Sequence, residues 1–173
     1  MKLIFVVLLL FSIVVSGTAQ DEIVPSVDSN IGFGVGLDYG GLGSRISIGL
    51  YKHLSVLTGV GYNWRDIGFN VGLQYQVLTT GRLRPNVMAT YGYNGVLKKT
   101  GNHPRFDRTY YGPSVGGSLE IHGKNDYGNF INVGVMLPFR SQEYRDAVDH
   151  AKADFNKPLP VVFSVGYHFA IGY

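Results

Sequence analysis

The sequence predicts an all-β chain folded as an eight-stranded antiparallel up-and-down barrel, and three observations carry that prediction. Apolar side chains recur at every second position through eight segments between Asn30 and the C-terminus. Glycine supplies 24 of the 173 residues, about twice ordinary usage, and falls between those apolar residues at the same period. Aromatic residues, 13% of the chain, gather near the segment ends. Alternation of period two marks a strand whose faces meet different surroundings. Collagen would need glycine at every third position, and a disordered tail would lack the large apolar partners.

The N-terminus predicts export. Lys2 precedes an apolar run from Leu3 to Val15, followed by the small residues Ser16, Gly17, Thr18 and Ala19. That order is a secretory signal peptide over residues 1–19; the run is too short for a helix that spans a bilayer, which takes about 20 apolar residues. Residues 20–29 then form a periplasmic N-terminal segment and residues 30–173 the barrel domain. With no cysteine in the chain, the exported fold has no disulfide, thiolate metal site or lipid-bearing cysteine. The formal net charge of +3, about +2 without Lys2, is too mild to indicate a nucleic-acid partner.

The first strand is read from "NIGFGVGLD", with Ile31, Phe33, Val35 and Leu37 on one face and Gly32, Gly34, Gly36 and Asp38 on the other. "RISIGLY" (45–51), "SVLTGVGYNW" (55–64) and "IGFNVGLQYQV" (67–77) repeat the pattern. The fifth, near 84–93, has Val87, Ala89, Tyr91 and Tyr93 on its apolar face, and Pro85 is tolerable near its start. The sixth, 109–122, sets Tyr111, Val115, Leu119 and Ile121 against Gly112, Ser114, Gly116, Ser118, Glu120 and His122, with Pro113 as a local distortion. The seventh is 130–137. The eighth is "VVFSVGYHFAIGY", apolar at alternate positions up to Tyr173.

Eight such strands suit either a soluble barrel, greasy inside, or a transmembrane barrel, greasy outside. The less apolar face decides between them, because it is Gly, Ser, Asn, Gln and Thr with few charges, which fits an enclosed lumen better than water. The apolar face carries no Asp, Glu, Lys or Arg, as lipid contact demands, and only a closed barrel satisfies strand backbones in lipid. Loop lengths agree. With both termini periplasmic, "KH", "LTTGRLR" and "GKNDYGN" are inner turns, while "YGGLGS", "RD", "NGVLKKTGNHPRFDR" and "PFRSQEYRDAVDHAKADFNKPLP" lie outside. Tyr62, Trp64, Tyr91, Tyr93 and Tyr111 would ring the outer interface, and Phe33, Tyr75, Phe169 and Tyr173 the inner one.

A signal peptide, eight alternating strands and a last strand ending on an aromatic residue together resemble the small bacterial outer-membrane β-barrel proteins of the A and X type, over residues 30–173. The resemblance implies a Gram-negative outer-membrane location, contact with outer-membrane lipids and lipopolysaccharide, and assembly by the barrel-assembly machinery. It implies that Tyr167, Phe169, Ile171 and Tyr173 form the assembly signal; members of that family more often end in Phe. It brings no functional motif, and barrels of this kind serve as adhesins, defence factors, structural proteins and enzymes.

Eight strands leave an interior just wide enough for side chains. Tyr51, Met88, Phe130 and Met136 are in register to fill it, although the inward glycines leave room for a narrow channel. Arg84 and Glu120, at similar heights on neighbouring strands, are expected to pair, since a charge enclosed in a barrel needs a partner. Ser118, Glu120 and His122 face the same way but are separated by roughly 6.5 Å per two residues, too far for a catalytic triad on their own. His103 and His150 lack metal-ligand spacing, and no cofactor is expected. Lys98, Lys99, Arg105, Phe106 and Arg108 make one outer loop basic and aromatic, suited to phosphates or an acidic extracellular ligand. In the last loop Ser141 can cap a helix over "QEYRDAVDHAKADF", with Tyr144, Val148, Ala151 and Phe155 as its apolar stripe, folded over the barrel mouth. The expectation is a non-enzymatic barrel whose role is envelope structure or surface binding through its long loops. A lipid-modifying enzyme of the lipid A deacylase or acyltransferase type, and a narrow channel, are the alternatives.

Overall fold

The computed structural model describes residues 29–97, 108–123, 128–150 and 160–171. The expected signal peptide and nearly all of residues 20–29 lie outside these. Each alternating segment is a strand: β1 (Ser29–Gly36), β2 (Gly41–Tyr51), β3 (Leu54–Tyr62), β4 (Ile67–Gln76), β5 (Leu83–Leu97), β6 (Arg108–His122), β7 (Phe130–Pro138) and β8 (Val162–Ile171). They pair antiparallel in chain order, and β8 returns to β1 to close the barrel.

The side-chain alternation sorts the wall into two faces. Phe33, Ile48, Phe69, Val87, Val133, Phe163 and Val165 are among the large apolar residues that point outward and stay exposed. Below the projecting part of β5 and β6 no charged side chain stands on this outer face. The inward positions are small or polar, including Asn30, Ser47, Asn70, Gln74, Asn86, Ser114 and Asn132, all buried. This inverts a soluble barrel.

Three local departures from the period have physical causes. At the end of β1 the alternation stops at Gly36 (φ 149°), and Leu37–Tyr39 form a single 3-10 turn. Gly40 (φ 71°) and Gly41 (φ 116°) then turn the chain into β2, in conformations that L side chains resist. The expected outer loop "YGGLGS" is therefore mostly strand, and Leu37, expected to face outward, is 2% exposed. In β5 the register shifts between Tyr93 and Gly95, and Tyr93 is half-buried and packed inward rather than in the outer ring. In β2 a shift between Gly49 and Tyr51 leaves Tyr51 71% exposed, so it does not fill the lumen.

Strands β5 and β6 each run 15 residues, about 50 Å, against 8 to 11 for the others. They rise past the rim opposite the termini as a two-stranded ribbon, with Asn94 to Leu97 and Arg108 in strand rather than loop.

Candidate functional site

The lumen is filled from the rim opposite the termini by the turn between β1 and β2. Leu37, Asp38 and Tyr39 are all buried. Leu37 packs with Leu57, Met88 and Met136 from three strands across the barrel. The inward glycines form its cradle. A Cβ added at Gly59, Gly61 or Gly68 would run into the backbone of Asp38, Tyr39 or Gly40. The glycine-rich inner face thus makes room for the chain's own turn.

Polar contacts tie the turn down. Asp38 Oδ2 accepts from Arg45 Nη1 at 2.5 Å, with both side chains fully buried. The Arg45 guanidinium also lies 5.2 Å from the centre of the Tyr39 ring. Asn70 Nδ2 donates to the Leu37 carbonyl. The Tyr39 hydroxyl lies 2.6 Å from His168 Nε2, and His168 Nδ1 lies 2.7 Å from Asn30 Oδ1. With a carbonyl oxygen facing Nδ1, the proton sits on that nitrogen and Nε2 accepts from Tyr39.

Toward the terminal rim a second network gathers on Glu120. Its Oε1 accepts from Gln74 Nε2 (3.1 Å) and Asn86 Nδ2 (2.9 Å), its Oε2 from Gln76 Nε2 (3.0 Å), and His122 Nε2 stands 3.3 Å from Oε2. The expected partner Arg84 is directly opposite Glu120 in the β5–β6 register, and Arg84 Nε donates to the Gly81 carbonyl at 3.2 Å. Three amides that sequence reasoning leaves out thus converge on the carboxylate. Below them the Phe130 ring stacks on His168 at 4.7 Å and 7° and meets His122 on its other side tilted, at 4.9 Å and 31°. Ser118 Oγ bonds to neither Glu120 nor His122, so these three inward residues are not joined as a triad. Among the described residues no three His, Asp or Glu gather as a metal site.

The opposite rim carries a cap. Ser141 Oγ accepts from the Tyr144 N–H at 3.3 Å and so starts helix α1 (Gln142–His150), as expected. Tyr144 is 3% exposed and meets Tyr110 of the ribbon edge-on, at 5.0 Å and 89°. Ala147 and Val148 pack beside them. Burial pushes the Tyr144 phenol above its ordinary pKa; Arg140, 5.1 Å from the ring, pulls the other way with less effect, and Tyr110 adds a smaller upward push. Arg108 pairs with Glu143 at 2.5 Å on the exposed side. Of the expected loop contacts, Arg108 therefore already has a partner within the cap. Lys98, Lys99, Arg105 and Phe106, and the stripe residues Ala151 and Phe155, lie outside the described residues.

On β8, Tyr167, Phe169 and Ile171 point outward and are exposed, with Tyr167 edge-on to Phe169 at 4.9 Å. Tyr173 lies outside the described residues. Sequence reasoning misses Tyr39 and Asn30; the run "GLDYGG" holds the only signal, a tyrosine closely flanked by glycines. No family model matches this chain, and no curated protein is significantly similar to it.

Proposed function

We propose that this chain is an integral outer-membrane β-barrel protein without enzymatic activity, serving envelope structure or binding at the cell surface through its long outer loops. One observation carries the reading: the barrel is apolar and exposed outside, and packed with polar groups inside. An apolar belt on every strand would be an aggregation surface in water and is favourable in lipid. The filled lumen supports a structural or binding role over transport. The buried Ser118 hydroxyl, unbonded to His122 or Glu120, supports a non-catalytic role over lipid modification. Outer-membrane lipids, lipopolysaccharide and the barrel-assembly machinery are the partners this reading calls for, with Tyr167, Phe169, Ile171 and Tyr173 as the assembly signal.

Fractionating cells that export the full chain tests it. The protein is expected in the outer-membrane fraction, resistant to alkaline extraction and migrating faster before boiling than after. Recovery as a soluble periplasmic protein overturns the membrane reading. Replacing residues 95–108 or 140–157 with short turns is expected to abolish surface binding while leaving the barrel inserted; binding unaltered by both replacements overturns the loop role.

A further inference from the structure

We propose that the Leu37–Tyr39 turn is a clasp that holds β1 against β8 from inside the lumen, so that insertion of the turn and closure of the barrel are one event. Seven of the eight strand pairings join neighbours in the chain. The β1–β8 seam, from Ser29↔Ile171 to Val35↔Val165, joins its two ends. Closing a loop of that length costs entropy before any contact repays it. The seam's inner wall is bare along one strip, because β1 presents Gly32, Gly34 and Gly36 inward and β8 presents Gly166 opposite Gly34.

Tyr39 covers that bare strip. Gly34 and Gly166 are register partners. A Cβ on Gly34 would stand 2.8 Å from Tyr39 Cζ, and one on Gly166 would stand 2.5 Å from it. The phenol end of the ring therefore sits over both strands at one height, where a Cβ on either glycine would collide with it. One step toward the terminal rim, the Tyr39 hydroxyl donates to His168 of β8, and His168 donates to Asn30 of β1. The chain Tyr39–His168–Asn30 crosses the seam and returns, and His168 is braced from β7 by the Phe130 ring at 4.7 Å. The Asp38–Arg45 pair fixes the turn to β2 on the other side. The strap thus runs from the first hairpin to the last strand.

The inference does not depend on a membrane setting, so it can fail while the proposed function stands. Hydrogen exchange of the full barrel folded in detergent micelles tests it, by comparing seam amides in residues 31–35 and 165–169 with β5–β6 amides in residues 83–87 and 117–121, which pair away from the turn. In Tyr39→Phe, which keeps the ring and deletes the hydroxyl, seam amides are expected to exchange about 10-fold faster while the β5–β6 amides are unchanged, since buried groups that lose a partner favour local opening. Tyr39→Ala is expected to enlarge the difference, and the isosteric Phe variant carries the test should the Ala variant not fold. Equal acceleration in both ladders, or none in the seam, overturns the clasp.

Discussion

Replacing Asp38 with Asn tests the interior directly, because the barrel contains two ion pairs of the same length in opposite surroundings. Arg45–Asp38 and Arg108–Glu143 are both 2.5 Å long, yet the side chains of the first are 0% exposed and those of the second 63%. Coulomb attraction alone would rank them equal. Burial separates them. The Arg45 Nε and Nη2 atoms find no acceptor among the described residues, so Asp38 is the anion that compensates its guanidinium. Removing that charge leaves a buried cation, at a cost of about 3–5 kcal/mol. At a urea dependence of about 2 kcal/mol per molar, the middle of the usual range, the unfolding midpoint falls by about 1.5–2.5 M. Arg108→Ala removes an exposed pair worth about 0–1 kcal/mol and is expected to leave the midpoint within about 0.5 M. The double variant Asp38→Asn, Arg45→Met removes both charges and is expected to recover at least half of the single variant's loss, because a buried pair replaced by apolar groups is often neutral. Tryptophan fluorescence of the folded barrel reads all three in urea, since Trp64 is the only tryptophan in the chain. Equal midpoints for Asp38→Asn and Arg108→Ala would refute the reasoning. So would a double variant weaker than Asp38→Asn.

Glu120→Gln places an amide where two oxygens face four donors, and is expected to cost about 3–6 kcal/mol, read from the urea midpoint, through two lost charge-assisted bonds; no shift would mean the amides re-pair without it. Cap stability should fall in alkali. Because the folded Tyr144 phenol holds its proton more tightly than an ordinary tyrosine of pKa 10.0, the helix keeps its full contribution below about pH 10 and loses it as pH rises through the raised value, seen as loss of near-ultraviolet tyrosine dichroism with the strand signal retained. Planar bilayers holding the barrel are expected to show no steady conductance, because the turn and the rings of His122, Phe130 and His168 fill the lumen; a steady, large current would overturn the packed interior.

Strand number, order of faces and the capped helix are legible in the sequence because each rests on local chemistry. Alternation of Ile46, Ile48 and Leu50 against small residues needs no distant partner to be read, and Ser141 before Gln142 is a cap by its side chain alone. Features that depend on groups far apart are hidden. Glu120 is recognisable as an enclosed charge, but the Gln74, Gln76 and Asn86 amides that hold it reach it only because β4, β5 and β6 curve around one lumen. Strict alternation puts Tyr51 on the wrong face because a bulge in β2 reverses the parity of the residue beyond it, and Tyr93, the last residue before the shift in β5, packs inward although its register partner Tyr111 faces out; nothing in "TYGYN" or "IGLYK" announces either irregularity.

The inward glycines show where pattern reading runs out and volume must take over. A face of glycines is compatible with an open channel, with close strand packing, or with an occupant that needs the space, and composition cannot choose. Geometry chooses, because the missing Cβ positions at Gly59, Gly61 and Gly68 coincide with the backbone of Asp38, Tyr39 and Gly40. An eight-stranded barrel normally fills itself with side chains from its own wall. This one leaves part of the wall bare and brings a turn inward instead. That choice moves a charge, a phenol and the backbone that carries them into the lumen, and links the interior of the barrel to the strand pair that must close it. The seam at β8 is then secured on both sides, by Phe33, Tyr167 and Phe169 outside and by Tyr39 and His168 within.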